Sequence, residues 1–204
     1  MSLSSTSRLI VAFVAAAVLS ACSSASSLDS PLENLGNFKL GHNIVIADNA
    51  QIGPLSRAAE PDDWEAAMTT AIEDRLGRYQ GEGLFHLGVT VEGYNLAVPG
   101  VPLVVSPKSV LIISVNIWDN STREKLTEEP KQFTVFEALS GETIVGSGLT
   151  QNKAQQMENL SINAAAAIER WLVQNPQWFG VTADATEQAV PASENTAATA
   201  ETAN

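Results

Sequence analysis

Histidines are the residues most able to act as a general base or a metal ligand, and this chain has two, His42 and His86. A metal site or a Ser-His-Asp arrangement would have to use one of them. His86 alternates with apolar residues on the same side as Thr90 and Glu92, which predicts a solvent-facing position on a strand. His42 is expected in a loop, and the chain has no Gly-x-Ser-x-Gly turn to supply a nucleophile. The histidines therefore predict neither a catalytic residue nor a metal site.

The carboxylates and glycines also lack the spacing that a catalytic or cofactor site requires. Helix-start chemistry and a solvated helix face explain the cluster of acidic residues Asp62, Asp63, Glu65, Glu73 and Asp74. A calcium loop needs oxygen ligands at alternate positions around a glycine, and no such loop is present. Gly-x-Gly-x-x-Gly and Gly-Lys-Ser/Thr are both missing, so nucleotide binding is not indicated. We predict no cofactor and no enzymatic activity.

The amino-terminal residues have the organisation of an export signal. Arg8 precedes the apolar run Leu9–Leu19, and the small residues Ser20 and Ala21 then precede Cys22, the only cysteine of the chain. A positive charge, a short apolar segment and small residues before a cleavage point are typical of a secretory signal peptide. A transmembrane helix needs about 17–25 apolar residues, which is more than this run provides. An ordinary secretory signal cleaved at another point is the alternative.

The tetrapeptide Leu19-Ser20-Ala21-Cys22 resembles the lipobox of bacterial lipoproteins. The resemblance implies cleavage between Ala21 and Cys22, with a diacylglyceryl group on the thiol of Cys22 and an acyl group on its amine. Two or three acyl chains hold a protein on a membrane essentially permanently. Because Ser23 rather than Asp follows the cysteine, the resemblance implies the outer membrane of a Gram-negative host. The protein is thus expected in the cell envelope, lipid-anchored and facing the periplasm.

The composition limits the partners that the chain can have. Its 204 residues carry a net charge of −12, with 11 basic residues against 23 acidic ones. Such a surface repels phosphates, so no nucleic acid partner is expected, and it does not favour anionic lipid. Once Cys22 is lipidated no cysteine is left for a disulfide. Stability must then come from the apolar core, which 45% hydrophobic residues can supply.

Composition divides the chain into four segments. A signal peptide covers residues 1–21, and the lipidated cysteine with a small, polar tether covers residues 22–37. A folded domain is expected over residues 38–180. An acidic tail rich in alanine and threonine, residues 181–204, is expected to be disordered.

The hydrophobic periodicity predicts an α+β domain. The predicted elements are a strand at 42–48, a helix opened by Asp62 as N-cap and ended by Gly81 and Gly83, strands at 85–92, 109–119, 132–139 and 143–148, and a second helix at 153–174. The helices have apolar stripes at spacings of three and four, so each should bury one face. We expect a single domain with a mostly antiparallel sheet and two helices packed on one of its faces.

This order of elements, over roughly residues 40–175, is similar to that of the auxiliary lipoproteins of ABC transporters and the curli-secretion lipoprotein. The runs Ser-Pro-Lys-Ser-Val at 106–110 and Leu-Ser-Gly-Glu-Thr at 139–143 also resemble uncharacterised alphaproteobacterial lipoproteins. These resemblances imply the same envelope location and supply no activity.

The segment at 95–105 is uncharged and apolar, but two prolines and a glycine make it a poor strand. Two interpretations remain open. The segment either folds back into the core or is exposed as a contact for a partner protein or the membrane surface. In the second interpretation the contact residues are Leu96, Val98, Val101 and Leu103.

The leading functional hypothesis is a non-enzymatic, lipid-anchored adaptor or accessory subunit of an envelope complex. The alternative is a carrier of a lipid or other hydrophobic ligand between the helices and the sheet. That alternative requires a pocket lined by Met68, Ile72, Ile113 and Met157 in place of a filled core. A third hypothesis is a hydrolase with a site that the sequence does not reveal, for which His42 and His86 are the most plausible bases.

Overall fold

The computed structural model describes residues 31–98, 109–137 and 152–181. Its elements are β1 (Phe38–Ile46), β2 (Gln51–Ile52), α1 (Pro61–Leu76), β3 (Gly83–Asn95), β4 (Val110–Asp119), β5 (Lys131–Phe136) and α2 (Lys153–Val173), followed by a 3-10 helix at Pro176–Phe179. Two helices and a five-stranded sheet form one α+β domain, which confirms the predicted fold class.

The sheet is mixed, with the strand order β1-β3-β4-β5 and with β2 pairing to the end of β3. β4 runs antiparallel to both of its neighbours, β3 and β5. β1 and β2 run parallel to β3, because the chain passes through α1 before it returns to the sheet. The parallel pairing of β1 and β3 aligns two distant parts of the sequence, and the candidate site depends on it.

The two faces of the sheet have different surroundings. On one face, alternate residues of β3 and β4 are buried in a single hydrophobic core with both helices. α1 packs on β1, α2 packs on β4 and β5, and the helices pack on each other. No helix among the described residues covers the second face, which we call the open face.

Helix α1 buries the predicted apolar stripe, but its ends differ from the prediction. Asp62 is not the N-cap, because Glu60 holds that position and Pro61 begins the helix. Proline suits the first helical position since its missing N–H would have no helical partner there. Glu65 does not bond back to the cap and instead accepts a hydrogen bond from the backbone N–H of Ala47 at 3.1 Å.

The carboxyl end of α1 comes earlier than Gly81 and Gly83 had indicated. The helix ends at Leu76, and the N–H of Gly77 bonds the carbonyl of Glu73 at 2.8 Å. Gly81 instead forms a close contact between the following loop and the start of β1. A Cβ at Gly81 would clash with the backbone carbonyl group of Asn37.

Helix α2 agrees closely with the prediction, ending at Val173 with Gln174 as its C-cap. The predicted stripe is buried and consists of Met157, Leu160, Ala164, Ile168, Trp171 and Leu172. Asn152 begins the helix with a capping box, in which its side chain accepts from the N–H of Gln155 and the Gln155 side chain accepts from the N–H of Asn152. Each bond satisfies a backbone donor that the first helical turn leaves free.

A buried ion pair connects the two helices. Arg75 Nε lies 2.6 Å from Glu169 Oε2, and both side chains are about 95% buried (5% and 4% exposed). The hydroxyl of Tyr79 donates to Glu169 Oε1 at 2.8 Å. Burial and this contact with the carboxylate raise the pKa of Tyr79 well above its usual value. Glu169 is thus the shared acceptor of a polar cluster inside the helix interface.

Strand β1 begins at Phe38, four residues before the predicted start at His42. The register between β1 and β3 shifts between Leu40 and Asn43, which interrupts the alternation of buried and exposed residues. Such a bulge hides the period of two on which strand prediction depends. His42 consequently lies inside a strand and not in the expected loop.

The core between the helices and the sheet is filled. Met68, Ile72 and Ile113 have no exposed surface and Met157 has 2%, and all four belong to one packed cluster. The predicted ligand pocket lined by these four residues is therefore wrong, because their side chains pack against one another and their neighbours.

Several predicted features lie outside the described residues. They are the signal peptide, Ala21 and Cys22, the contact candidates Val101 and Leu103, the strand at 143–148, and the tail from residue 182. Within the described ranges, no helix combines the length and apolarity needed to cross a membrane.

Candidate binding groove on the open face

A groove of about 510 Å³ lies on the open face at the end of the sheet where β1 begins. Backbone and side chains of β3 form its floor, and side chains of β1 and β4 form its walls. One wall carries Ile44 and Ile46, which are 58% and 47% exposed. We refer to this feature as the groove.

The opposite wall is Trp118, whose ring lies across Gly88 on the floor. A Cβ placed on Gly88 would be only 2.9 Å from Cζ3 of Trp118. Glycine at position 88 therefore allows the indole to lie close to the sheet. Trp118 and the two isoleucines make this part of the groove apolar.

The two histidines meet in the groove. Their rings are stacked, with centroids 4.7 Å apart and an interplanar angle of 26°. The backbone N–H of His42 donates to Nδ1 of His86 at 2.7 Å, and Nε2 of His86 lies 3.1 Å from Oδ1 of Asn120. Because Nδ1 accepts a hydrogen bond, we assign the proton to Nε2, which donates to Asn120.

This arrangement holds His86 in place, because both of its ring nitrogens are hydrogen-bonded. Among the bonds of the described residues, no serine or threonine hydroxyl contacts either histidine ring. No group of three His, Cys, Asp or Glu side chains in the described ranges is placed to hold a metal ion.

The turn after β4 closes one end of the groove with polar groups. Asp119 Oδ1 accepts hydrogen bonds from the N–H and hydroxyl of Ser121 at 2.7 and 2.8 Å. The hydroxyl bond, more than the other contacts, holds the pKa of Asp119 below its usual value. Arg123 follows with a positive φ of 60° and an exposed side chain. Arg123 forms no ion pair with a carboxylate of the described residues.

A second concavity, of about 640 Å³, lies at the opposite end of the open face. Its lining includes Ile52, Pro54 and Ile112, and the exposed Leu55 follows directly in the chain. Ile52 is 54% exposed and Leu55 is 71% exposed. We call Ile52, Pro54, Leu55 and Ile112 the distal patch, because they lie at the end of the sheet away from the start of β1.

The segment from residue 95 begins beside the distal patch. The side chain of Leu96 is fully buried. Its backbone is held by two hydrogen bonds: the N–H of Leu96 donates to Ser56 Oγ at 2.8 Å, and its carbonyl accepts from the N–H of Arg57 at 3.1 Å. Leu96 is thus a core residue, and the prediction of Leu96 as a contact residue was wrong. Val98 is half-buried. Its role as a contact residue stays a prediction.

Sequence patterns did not indicate the groove. His42 and His86 are 44 positions apart and approach each other only because β1 and β3 are parallel and in this register. The one available signal was Ile44 and Ile46, which alternate with the buried Val45 and therefore occupy the face of β1 opposite the core.

No protein-family model matches the sequence, and no curated protein matches it. Similar solved structures include a candidate lipoprotein from Caulobacter crescentus, with 14% identity and a TM-score of 0.37 over 62% of this chain and 90% of that one. A DUF330 protein from Xanthomonas campestris has 14% identity and a TM-score of 0.39 over 73% and 91% of the two chains. A minor lipoprotein from Acinetobacter baumannii has 15% identity and a TM-score of 0.30 over 70% and 96%. With TM-scores below 0.5, these similarities assign neither a function nor a partner to this chain.

Proposed function

We propose that the protein is a lipid-anchored, non-enzymatic adaptor of the cell envelope, held in the outer membrane through Cys22. Its protein partner binds the distal patch. The observation that carries this proposal is the exposure of Ile52 and Leu55, two large apolar side chains three positions apart in the chain. Neighbouring exposed apolar side chains of this kind mark interaction sites more often than isolated ones do.

The backbone at Leu55 supports the same proposal. Leu55 has φ 60°, in the left-handed region that residues with a Cβ rarely adopt. A conformation of this kind costs on the order of 1–3 kcal/mol and is often found at functional sites. Here it accompanies the turn in which the N–H of Ser56 bonds the carbonyl of Gly53 at 3.3 Å. The turn presents an apolar side chain to solvent.

The position of the patch also suits an anchored adaptor. Phe38, at the start of β1, pairs with Gly83, whereas Ile52 pairs with Tyr94 near the other end of β3. Along β3, Gly83 and Tyr94 are eleven residues apart, which corresponds to about 36 Å. The chain enters β1 from the side of Cys22 at Phe38, beside Gly83. The distal patch is therefore at the end away from the attachment of the tether.

Photocrosslinking in cells tests this proposal. The full lipidated protein would carry a photoreactive phenylalanine analogue at position 55, with exposed Thr70 on α1 as the control position. We expect a discrete protein adduct from position 55, none from position 70, and loss of the adduct in the Cys22→Ala variant. Adducts of equal yield from both positions, or none from position 55, would contradict the proposal.

A further inference from the structure

We propose that the groove binds a single-chain amphiphile with an anionic head group, the chemistry shared by a fatty acid and a lysophospholipid. This site is separate from the distal patch and does not depend on the adaptor function. The acyl chain lies along the apolar walls, and the head group lies at the turn after β4.

The apolar part of the groove fits an extended aliphatic chain. The groove runs along the strands from Asn120 at one end to Ile46 at the other. The N–H of Asn120 donates to the carbonyl of Leu84, which pairs with Lys39 of β1, so Asn120 lies beside Lys39 in the sheet. Along β3, six residues separate these two ends, from Leu84 to Thr90, which corresponds to about 20 Å. The groove is therefore long and narrow, with Ile44 and Ile46 on one side and the Trp118 ring on the other.

The polar end of the groove offers groups that bind an anion. Arg123 is exposed and lacks a carboxylate partner among the described residues. The carboxylate of Asp119 also faces this end, but Ser121 already donates two hydrogen bonds to it. The His42 ring and the amide of Asn120 add hydrogen-bonding groups. An anionic head group would form an ion pair with Arg123, the only lysine or arginine among the described residues that line the groove.

An extended peptide is a poorer occupant, because its backbone would lack partners. The floor strand β3 already pairs with β1 on one side and with β4 on the other. A peptide lying in the groove could not add to the sheet as a further strand, which is how extended segments usually bind sheets. An acyl chain has no backbone polar groups to satisfy and does not meet this difficulty.

The predicted anchor keeps the groove close to a source of such amphiphiles. The stretch from Cys22 to Phe38 is about 16 residues of mostly small and polar composition, and its last part, from Leu35, already packs in the core. This stretch joins the domain at the start of β1, which is also the polar end of the groove.

Calorimetric titration tests the site with two probes, palmitate and lysophosphatidylglycerol, each below its micellar concentration. The protein is the chain from residue 23 to 204, which lacks the lipid but keeps the whole core, since the core begins at Leu35. We expect saturable binding of about one probe per chain. Ile44→Glu should weaken binding at least about tenfold by placing a charge against the acyl chain.

Ile52→Glu is the matched control, because Ile52 is as exposed as Ile44 but lies outside the groove. It should leave the affinity unchanged, and both variants should unfold at the wild-type temperature. Arg123→Gln should weaken the binding of the anionic probes and leave that of neutral monopalmitoylglycerol unchanged. Binding of palmitate alone would identify a free fatty acid as the ligand, and binding of lysophosphatidylglycerol alone a phospholipid.

Three results would overturn the proposal. The first is a failure of both anionic probes to saturate, and the second is an equal loss of affinity in Ile44→Glu and Ile52→Glu. The third is a protein adduct, in place of a lipid adduct, from a photoreactive residue at position 44 in cells, which would assign the groove to a partner. None of these results bears on crosslinking from position 55, so failure of one proposal is distinguishable from failure of the other.

Discussion

Replacement of Glu169 by alanine should be among the most destabilising single changes in the interface between α1 and α2. Glu169 is 3% exposed and accepts from both Arg75 and Tyr79. The substitution removes the negative charge but leaves the Arg75 guanidinium, itself 4% exposed, inside the protein. A buried charge without its counter-ion is costly, since water can no longer solvate it.

The expected loss in the free energy of unfolding is about 3–5 kcal/mol, the usual cost of removing one partner of a buried ion pair. The Tyr79→Phe variant, which loses only the hydrogen bond to the carboxylate, should lose about 1.5–3 kcal/mol. Since domains are stable by about 5–15 kcal/mol in total, Glu169→Ala would remove a large share of the stability.

The double variant Arg75→Met/Glu169→Met separates the cost of an unpaired charge from the value of the ion pair. Apolar replacements of both partners are often neutral or stabilising. We therefore expect the double variant to be more stable than Glu169→Ala, although it lacks both charged groups.

Urea unfolding followed by circular dichroism measures these free energies, with Glu158→Ala as the control on the exposed side of α2. The control should change the free energy of unfolding by less than about 0.5 kcal/mol. A loss below about 1 kcal/mol in Glu169→Ala would refute the reasoning, as would a double variant no more stable than the single one.

Three further predictions concern a helix cap, a titrating tyrosine and the membrane address. Asn152→Ala removes the capping box of α2 and should lower the free energy of unfolding by about 1 kcal/mol, measured by the same urea titration; an unchanged midpoint would contradict the cap assignment. Because the pKa of Tyr79 is raised in the folded state, its contribution to stability is complete below pH 10 and declines as the pH rises past 10. Stability measured between pH 9 and 11 should therefore fall less steeply in Tyr79→Phe than in the wild type, and equal slopes would refute this assignment. Ser23→Asp should move the protein from the outer to the inner membrane fraction of a density gradient, whereas an unchanged distribution would show that residue 23 does not determine its location.

The sequence predicted the elements whose patterns are local. Helix α2 has an uninterrupted apolar stripe and an Asn-Pro stop, and its predicted and observed ends differ by one residue. α1 was predicted with the correct buried face, but its start was misplaced because Asp62 and Pro61 give competing start signals. Helix ends depend on single residues, whereas buried faces depend on several residues that agree.

The candidate site depends on register, which the sequence does not encode locally. The bulge at Gly41 and His42 concealed the start of β1, and with it the alignment of His42 beside His86. Leu96 belongs to an apolar segment, and composition alone could not determine whether it is core or surface. Its two backbone bonds to Ser56 and Arg57 involve residues about 40 positions away, which places it in the core.

The measurement that tests the account most directly is the mass of the mature amino terminus. The protein would be extracted from membranes, digested and analysed by mass spectrometry for its first peptide. We predict that the first residue is Cys22 and that it carries a diacylglyceryl group on its sulfur and an acyl group on its amine. An amino terminus at any other residue, or an unmodified Cys22, would contradict the lipid anchor. The proposed location and adaptor function would then have to be abandoned.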